Sequence, residues 1–389
     1  MKTSKEPKYG LIVFKNTDNI GDDIQSYAQS QFLPHIDYVI DREQVDSFVP
    51  DDNEIVNCIM NAWWLNKRTN WPPSPYINPL PISMHMRNTE EDSPTYLEGM
   101  GMQWFKKYEP IGLRDDLVKK YLDDAGVKNY QSGCMTLTIK KNPKLKTKPY
   151  ICVNDIDEEL LRKLKEFTNI EIKIMKHDIN PEETAKLTWE ERKKRVQKLL
   201  DTYQQAICVI TSRLHCTLPC LALEVPVLLI YNEENQDVIN RMHLFLECCN
   251  HISKKESIEN FDKIKEYIKN PPQNPEKYKE FRKSLTEKCQ NFVKNAKVGK
   301  LSNEEYIEFK SNHMNDIKRQ AEELYFDKEE LQYQRNYYRK EFYAIDGLER
   351  KIDNLEKELN KIYQSKRWRY SEKLRKTLRM NRKKKNNED

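Results

Sequence analysis

Short apolar runs separated by helix-length segments recur twice along this chain, and that alternation limits its fold more than any other feature. Between Tyr9 and Met135 the runs are Leu11 to Phe14, Tyr38 to Ile40, Glu54 to Met60, Ile82 to Met86 and Ile111 to Leu113. Strands spaced by helical crossovers predict a parallel sheet with helices packed on it. The Lys-rich stretch from Asn142 to Pro149, which ends in proline, reads as the interdomain linker. A second alternation follows, with runs at Tyr150 to Val153, Ile170 to Met175, Ile207 to Thr211 and Val227 to Tyr231, and helices at Glu158 to Phe167, Trp189 to Tyr203 and after His215. The fold class is therefore α/β, in two halves at 1–145 and 146–300. The stretch from Trp63 to Pro79 breaks the rhythm with Trp63, Trp64, Trp71, Tyr76 and four prolines. So many prolines predict no regular element there. The stretch reads as a structural lid or as an aromatic platform for a sugar face.

The chemistry concentrates where Ile207-Cys208-Val209-Ile210 runs into Thr211-Ser212-Arg213-Leu214-His215. Val209 and Ile210 read as a strand end and Leu214 to Leu223 as an apolar helix, which puts Ser212 to His215 on a strand-to-helix turn. Free N–H groups and the dipole at a helix start favour an anion. Arginine adds a planar fork that fits phosphate or carboxylate, and histidine titrates near neutrality. The plainer reading is a surface arginine and a core histidine. Gly21, Arg114 and His215 all fall at the carboxyl ends of expected strands, the edge where open parallel sheets bind ligands.

Three ordered segments carry a family resemblance. Thr211-Ser212-Arg213-Leu214-His215, followed by Leu221-Ala222-Leu223-Glu224-Val225-Pro226-Val227, resembles the Ser-Arg-Leu-His element and next strand of the polysaccharide pyruvyl transferases, with Glu224 where glycine is common. Asn19-Ile20-Gly21-Asp22-Asp23-Ile24-Gln25 is similar to the first Gly-Asp turn of that family. Ile111-Gly112-Leu113-Arg114-Asp115 and Ser132-Gly133-Cys134-Met135-Thr136-Leu137-Thr138 resemble the elements that close its first half. The resemblance covers roughly residues 9 to 250. It implies two Rossmann-like domains facing a cleft in a GT-B-like arrangement. It also implies phosphoenolpyruvate as donor and a sugar or lipid-linked oligosaccharide as acceptor, with pyruvate ending as a cyclic ketal.

That reaction needs at least two cations for the donor and an acid or base of near-neutral pKa. His215 is assigned to proton transfer, with its pKa raised by the bound dianion, and Arg213 to the phosphate or carboxylate. Arg114 is the second cation from the other half, its plain alternative being an ion pair with Asp115 or Asp116. Gly21 allows close backbone approach. Asp22 and Asp23 are helix caps, or one accepts the acceptor proton. Ser212 sits on the anion turn, and His85 is a further pocket candidate that also reads as structural. Relatives carry a basic residue soon after the strand equivalent to Val227 to Ile230, whereas the first one here is Arg241, which becomes the substitute. No H-E-x-x-H, C-x-x-C or clustered carboxylate signature points to a metal, so no cofactor is expected.

Composition separates an acidic body from a basic tail. The net charge is +5, yet Lys366 to Lys385 alone carries about +10, with eleven basic residues and one acid. Mean hydropathy is −0.91, and no run approaches the eighteen apolar residues of a membrane span. The nine cysteines lack C-x-x-C pairs and read as buried thiols of a reducing, cytoplasmic compartment. From Tyr306 a long helix is expected through 301–365, with Ile317, Leu324, Leu331, Tyr338, Ile345, Ile352 and Leu359 every seven residues and Leu348, Leu355 and Ile362 at the complementary positions. Such a seam predicts a parallel two-stranded coiled coil and hence a homodimer, or a helix folded back on the body. The tail, 366–389, is expected to touch anionic lipid at the inner membrane face. No nucleic acid is expected. Two rival readings remain open: a glycosyltransferase using a nucleotide sugar, for which no Gly-x-Gly-x-x-Gly or P-loop is present, and a non-catalytic dimeric scaffold of a polysaccharide synthesis complex.

Overall fold

A computed structural model of the chain describes residues 6–64, 70–86, 95–338, 345–365, 367, 368 and 370. It forms two compact units, 1–302 and 303–389. The first unit holds two parallel sheets. Strands β1 (Lys8–Val13), β2 (Tyr38–Asp41), β3 (Val56–Ile59) and β5 (Ile77–Leu80) make the first in the order β2-β1-β3-β5. Strands β9 (Tyr150–Asn154), β10 (Glu171–Met175), β11 (Val209–Thr211), β12 (Val227–Tyr231) and β13 (Asn250–Ser253) make the second in the order β10-β9-β11-β12-β13. Two short pairs, β4 (Trp63–Trp64) with β6 (His85–Met86) and β7 (Ile111–Leu113) with β8 (Asn129–Gln131), complete the strands among the described residues.

The expectation that nothing regular forms between Trp63 and Pro79 is corrected by β4 and β5. Proline cannot donate to a ladder, so it is tolerated at a sheet edge. Pro79 lies in the edge strand β5, opposite Cys58 of β3. Trp64 and Trp71 are buried in the first-half core, where Trp71 meets Trp104 edge-on with centroids 4.7 Å apart. Of the three tryptophans in this stretch, Trp63 lines the pocket described below.

The two halves share one apolar cluster, in which Ile24 and Met135 of the first half join Leu218 and Cys289 of the second. A buried ion cluster crosses the same seam. Helix α1 (Ile20–Ser30) presents Asp23 to α6 (Trp189–Gln204), where Arg192 and Arg195 bond its two carboxylate oxygens, Arg195 at 2.7 Å. Arg192 also donates to the Phe14 carbonyl at 2.6 Å. The first turn of α1 is tied across as well: the Ile20 amide donates to His177 O and the Ile179 amide to Asp18 O. Helix α6 starts on a Thr188/Glu191 capping box, which fixes where its arginines sit.

The strand-to-helix turn at the motif leads into α7 (Leu214–Ala222), which ends in a Schellman pattern: the Val225 amide donates to Cys220 O and the Glu224 amide to Leu221 O. That motif needs a left-handed residue after the cap, and Glu224 takes it with φ 58°. Glycine in relatives is explained by this geometry. Glu224 instead pairs with Lys141 at 2.9 Å.

In the second unit the expected long helix is two helices, α12 (Asn303–Tyr338) and α13 (Ile345–Gln364), packed on one another. Ile352, Leu355, Leu359 and Ile362 of the seam cover Ile317 and Ala321, and Lys328 pairs with Glu356 at 3.2 Å. A heptad stripe demands a partner helix, and here α12 of the same chain supplies one. The basic tail expected at 366–389 lies almost wholly outside the described residues, as do the side chains of Leu324, Leu331, Tyr338, Ile345 and Leu348. Among the described residues no helix is long and apolar enough to cross a membrane.

Asp23→Asn is expected to lower the unfolding free energy by about 3–5 kcal/mol in denaturant titration, since it strands two guanidinium groups, one of them fully buried. Asp22→Asn, which weakens a 2.6 Å bond with Thr17, should cost only about 1 kcal/mol.

Candidate active site

A pocket of about 370 Å³ lies where the two halves meet, lined by Asn19 and Trp63 from the first and by His177, Ser212 to His215, Asn232 and Arg241 from the second. Its floor is the turn predicted from sequence. Arg213 is the N-cap of α7 and no side chain caps that helix; the Cys216 amide bonds the Arg213 carbonyl, and Leu214 and His215 of the first turn line the pocket. Thr211 holds the turn by accepting the Arg213 amide at 3.0 Å, and Ser212 donates its hydroxyl to the Asp155 carbonyl.

Arg114 and His215, expected from opposite halves, are brought together. Arg114 leaves the end of β7, is buried, and places Nη1 3.3 Å from His215 Nε2. A guanidinium can only donate, so Nε2 accepts and the proton of the neutral ring belongs on Nδ1. Arg114 also donates to Gln25 Oε1. The ion pair with Asp115 or Asp116 considered for Arg114 is not formed: Asp115 accepts from His85 Nδ1 at 2.7 Å and caps α3 (Asp116–Asp124) through the Val118 amide, while Asp116 meets His243 at 3.1 Å.

Gly21 serves a packing role. A β-carbon there would lie 2.8 Å from His215 Nδ1, so only glycine lets the start of α1 close on the imidazole. Asp22 and Asp23 do not line the pocket. Asp22 bonds Thr17 and sits 3.5 Å from Arg42, and Asp23 is the seam ion.

Arg213 lines the pocket with its charge already shared. Its Nε meets Asp155 at 2.8 Å and its Nη2 meets Asp178 at 3.1 Å, which leaves Nη1. Two carboxylates offset its field, whereas Arg114 stands behind the lining and reaches the pocket through His215. Arg241 occupies the pocket as the sequence reading proposed, with its guanidinium 5.0 Å from the Trp63 ring centre. Trp63 is in turn edge-on to His85, with centroids 5.1 Å apart. His85 thus stands behind Trp63 and outside the lining.

Sequence reasoning missed His177, Asn19 and Asn232. His177 follows β10 with no motif around it, and only the fold shows it, buried and bonded through Nε2 to the Tyr203 hydroxyl at 2.9 Å. Asn19 was legible as a helix cap, and its side chain accepts the Gly21 amide at 2.8 Å.

Electrostatics keep these rings neutral. Burial, then the Arg114 and Arg241 cations, hold His215 well below its ordinary value. Burial, then Arg213, brings His177 down to about 3. Burial also lowers His85 despite its hydrogen bond to Asp115. Burial, the largest single influence, would raise the Asp115 carboxyl, but the His85 hydrogen bond and charge, the Val118 amide and Arg114 together outweigh it and keep the group below the usual range. Arginines beside neutral imidazoles, at an uncapped helix start, suit a small dianion and a proton acceptor.

The family model for polysaccharide pyruvyl transferase matches residues 19–234, from the Asn19 cap to just past Asn232. The chain belongs to the polysaccharide pyruvyl transferase family. The matched span contains Arg114, Arg213 and His215 and stops before Arg241. No curated protein matches the sequence. Among solved structures, a functionally uncharacterized protein from Klebsiella pneumoniae aligns with a TM-score of 0.41 at 10% identity, over 63% of this chain and 93% of that one.

Stability should fall on acidification through these histidines. Each has its pKa lowered in the folded state, so the stability it contributes is present above the unfolded value near 6.5 and is lost as pH falls below it; His177, lowered to about 3, accounts for up to about 1.4 kcal/mol per pH unit in that window. Unfolding free energies at pH 7.5, 6.5 and 5.5 check this. His177→Gln should reduce the slope between the last two by the share of one histidine.

Proposed function

We propose that this transferase moves the pyruvyl group of phosphoenolpyruvate onto two hydroxyls of a sugar, releasing phosphate and leaving a cyclic ketal. The observation that carries the reading is the Arg114 to His215 contact across the seam, a cation and a neutral imidazole held 3.3 Å apart beside an uncapped helix start. Phosphoenolpyruvate presents a carboxylate and a phosphate on one small frame. Arg213 and Arg241 supply complementary charge in the lining of a pocket of suitable size, and Arg114 adds its charge from behind His215.

The free enzyme holds His215 neutral with Nε2 accepting from Arg114, so the ring becomes the base once the donor anion draws that guanidinium away and frees Nε2. Donor binding adds negative charge beside it and raises its pKa, which favours proton uptake. In the first step a sugar oxygen bonds to C2 of the donor as its proton passes to His215, and His215 delivers that proton to C3 as the C2–C3 double bond is consumed, which returns the ring to its neutral form. In the second step the neighbouring hydroxyl bonds to C2, the C2–O bond to phosphate breaks, and its proton leaves with phosphate or through His215. Atoms balance as donor plus diol giving ketal plus phosphate.

Arg114→Ala is expected to weaken phosphoenolpyruvate binding by about 1.5–3 kcal/mol in calorimetry, and Arg213→Ala by less, because Asp155 and Asp178 already share its charge. His215→Ala should lower turnover by about 100-fold or more while changing donor affinity far less. Near-normal phosphate release and ketal formation in His215→Ala would reject the mechanism.

A further inference from the structure

A second pocket, of about 330 Å³, opens at the carboxyl ends of β1 and β2 and shares no lining residue with the first. Its first-half wall is Val13, Lys15, Val39, Asp41 and Gln44, and its second-half wall runs from Ala185 to Arg192. Carboxyl ends of parallel strands are where open α/β sheets hold ligands.

Three of its polar groups have unused hydrogen-bonding capacity among the described residues. Asp41 spends Oδ1 on the Lys15 and Glu43 amides, which fixes the loop and leaves Oδ2 without a protein partner. The Lys15 ammonium and the Gln44 amide are exposed, and neither makes a side-chain bond among the described residues. Gln44 projects from a kink, with φ −135° and ψ 17°, between two short turns of 3-10 helix. Apolar surface lies on both walls: Val39, 51% exposed, is on the same strand as Asp41, and Leu187 and Trp189 belong to the second-half wall. The indole N–H of Trp189 has no partner. Arg192 contributes little free charge, being committed to Asp23 and the Phe14 carbonyl.

An acceptor, a donor and a mixed amide around an apolar wall fit a ring with hydroxyls at its edge and hydrocarbon on its face. A phosphate dianion would meet the Asp41 carboxylate, whereas a neutral polyol would not. We infer that this pocket is a carbohydrate subsite that holds a neutral sugar unit of the acceptor glycan away from the reacting diol. The inference rests on the glycan-acceptor reading above, but sugar binding here is measurable without any turnover.

The test is saturation-transfer NMR on the full chain with methyl glycosides and linear tetrasaccharides of glucose, galactose and mannose. At least one tetrasaccharide should bind the wild type. Asp41→Asn and Gln44→Ala, both at the protein surface, should each weaken that binding at least tenfold with unchanged melting temperature. His215→Ala should retain it. Binding that is lost in His215→Ala and intact in Asp41→Asn, or absent for every sugar, overturns the subsite. Sugar binding that follows this pattern in an enzyme that never consumes phosphoenolpyruvate supports the subsite and removes the ketal reaction alone.

Discussion

The site depends on one close approach. The start of α1 rests against the imidazole of His215, and a side chain of any size at Gly21 would sit 2.8 Å from Nδ1. With that side of the ring closed, Nε2 is turned to Arg114 at 3.3 Å. The approach holds because the Asp23 carboxylate, buried against Arg192 and Arg195, locks α1 to α6, and because the turn before α1 exchanges backbone bonds with His177 and Ile179. Burial then acts on the ring itself. A histidine held in the protein near two cations stays neutral, the state that the proposed mechanism requires of a base.

The same seam explains why cations from both halves are needed. Arg213, the most conspicuous residue in the motif, is partly neutralised by Asp155 and Asp178. Its structural work is to orient the turn that starts α7. Arg114 has no carboxylate partner among the described residues and bonds only neutral groups there, so its charge acts on His215 without a carboxylate to offset it. Arg241, stacked over Trp63, comes from α8 (Gln236–Leu246) beyond the matched family span.

Much of this was legible in the sequence, and the gaps have physical causes. Arg114, Arg213 and His215 could be placed because strand ends and helix starts leave local signals, and parallel topology puts those ends on one edge. The role of Asp23 could not be read: its partner Arg192 is 169 residues away, and a buried ion pair looks locally like a helix cap. His177 carries no local signal at all. Strand β5 was hidden by the prolines around it, since proline statistics do not distinguish an edge strand from a loop. In the second unit, the heptad stripe of α13 was real, but periodicity states that a face needs covering and not which helix covers it. Here Ile317 and Ala321 of α12 do so.

The charge state of His215 is the most direct measure of the central claim, and it is observable by heteronuclear NMR of labelled imidazole nitrogens at pH 7. In the free enzyme the ring should be neutral with its proton on Nδ1, and saturation with phosphoenolpyruvate should shift it toward the imidazolium form. A ring that is charged before donor is added, or one that does not respond to saturating phosphoenolpyruvate, would contradict the coupling of Arg114, His215 and the donor dianion.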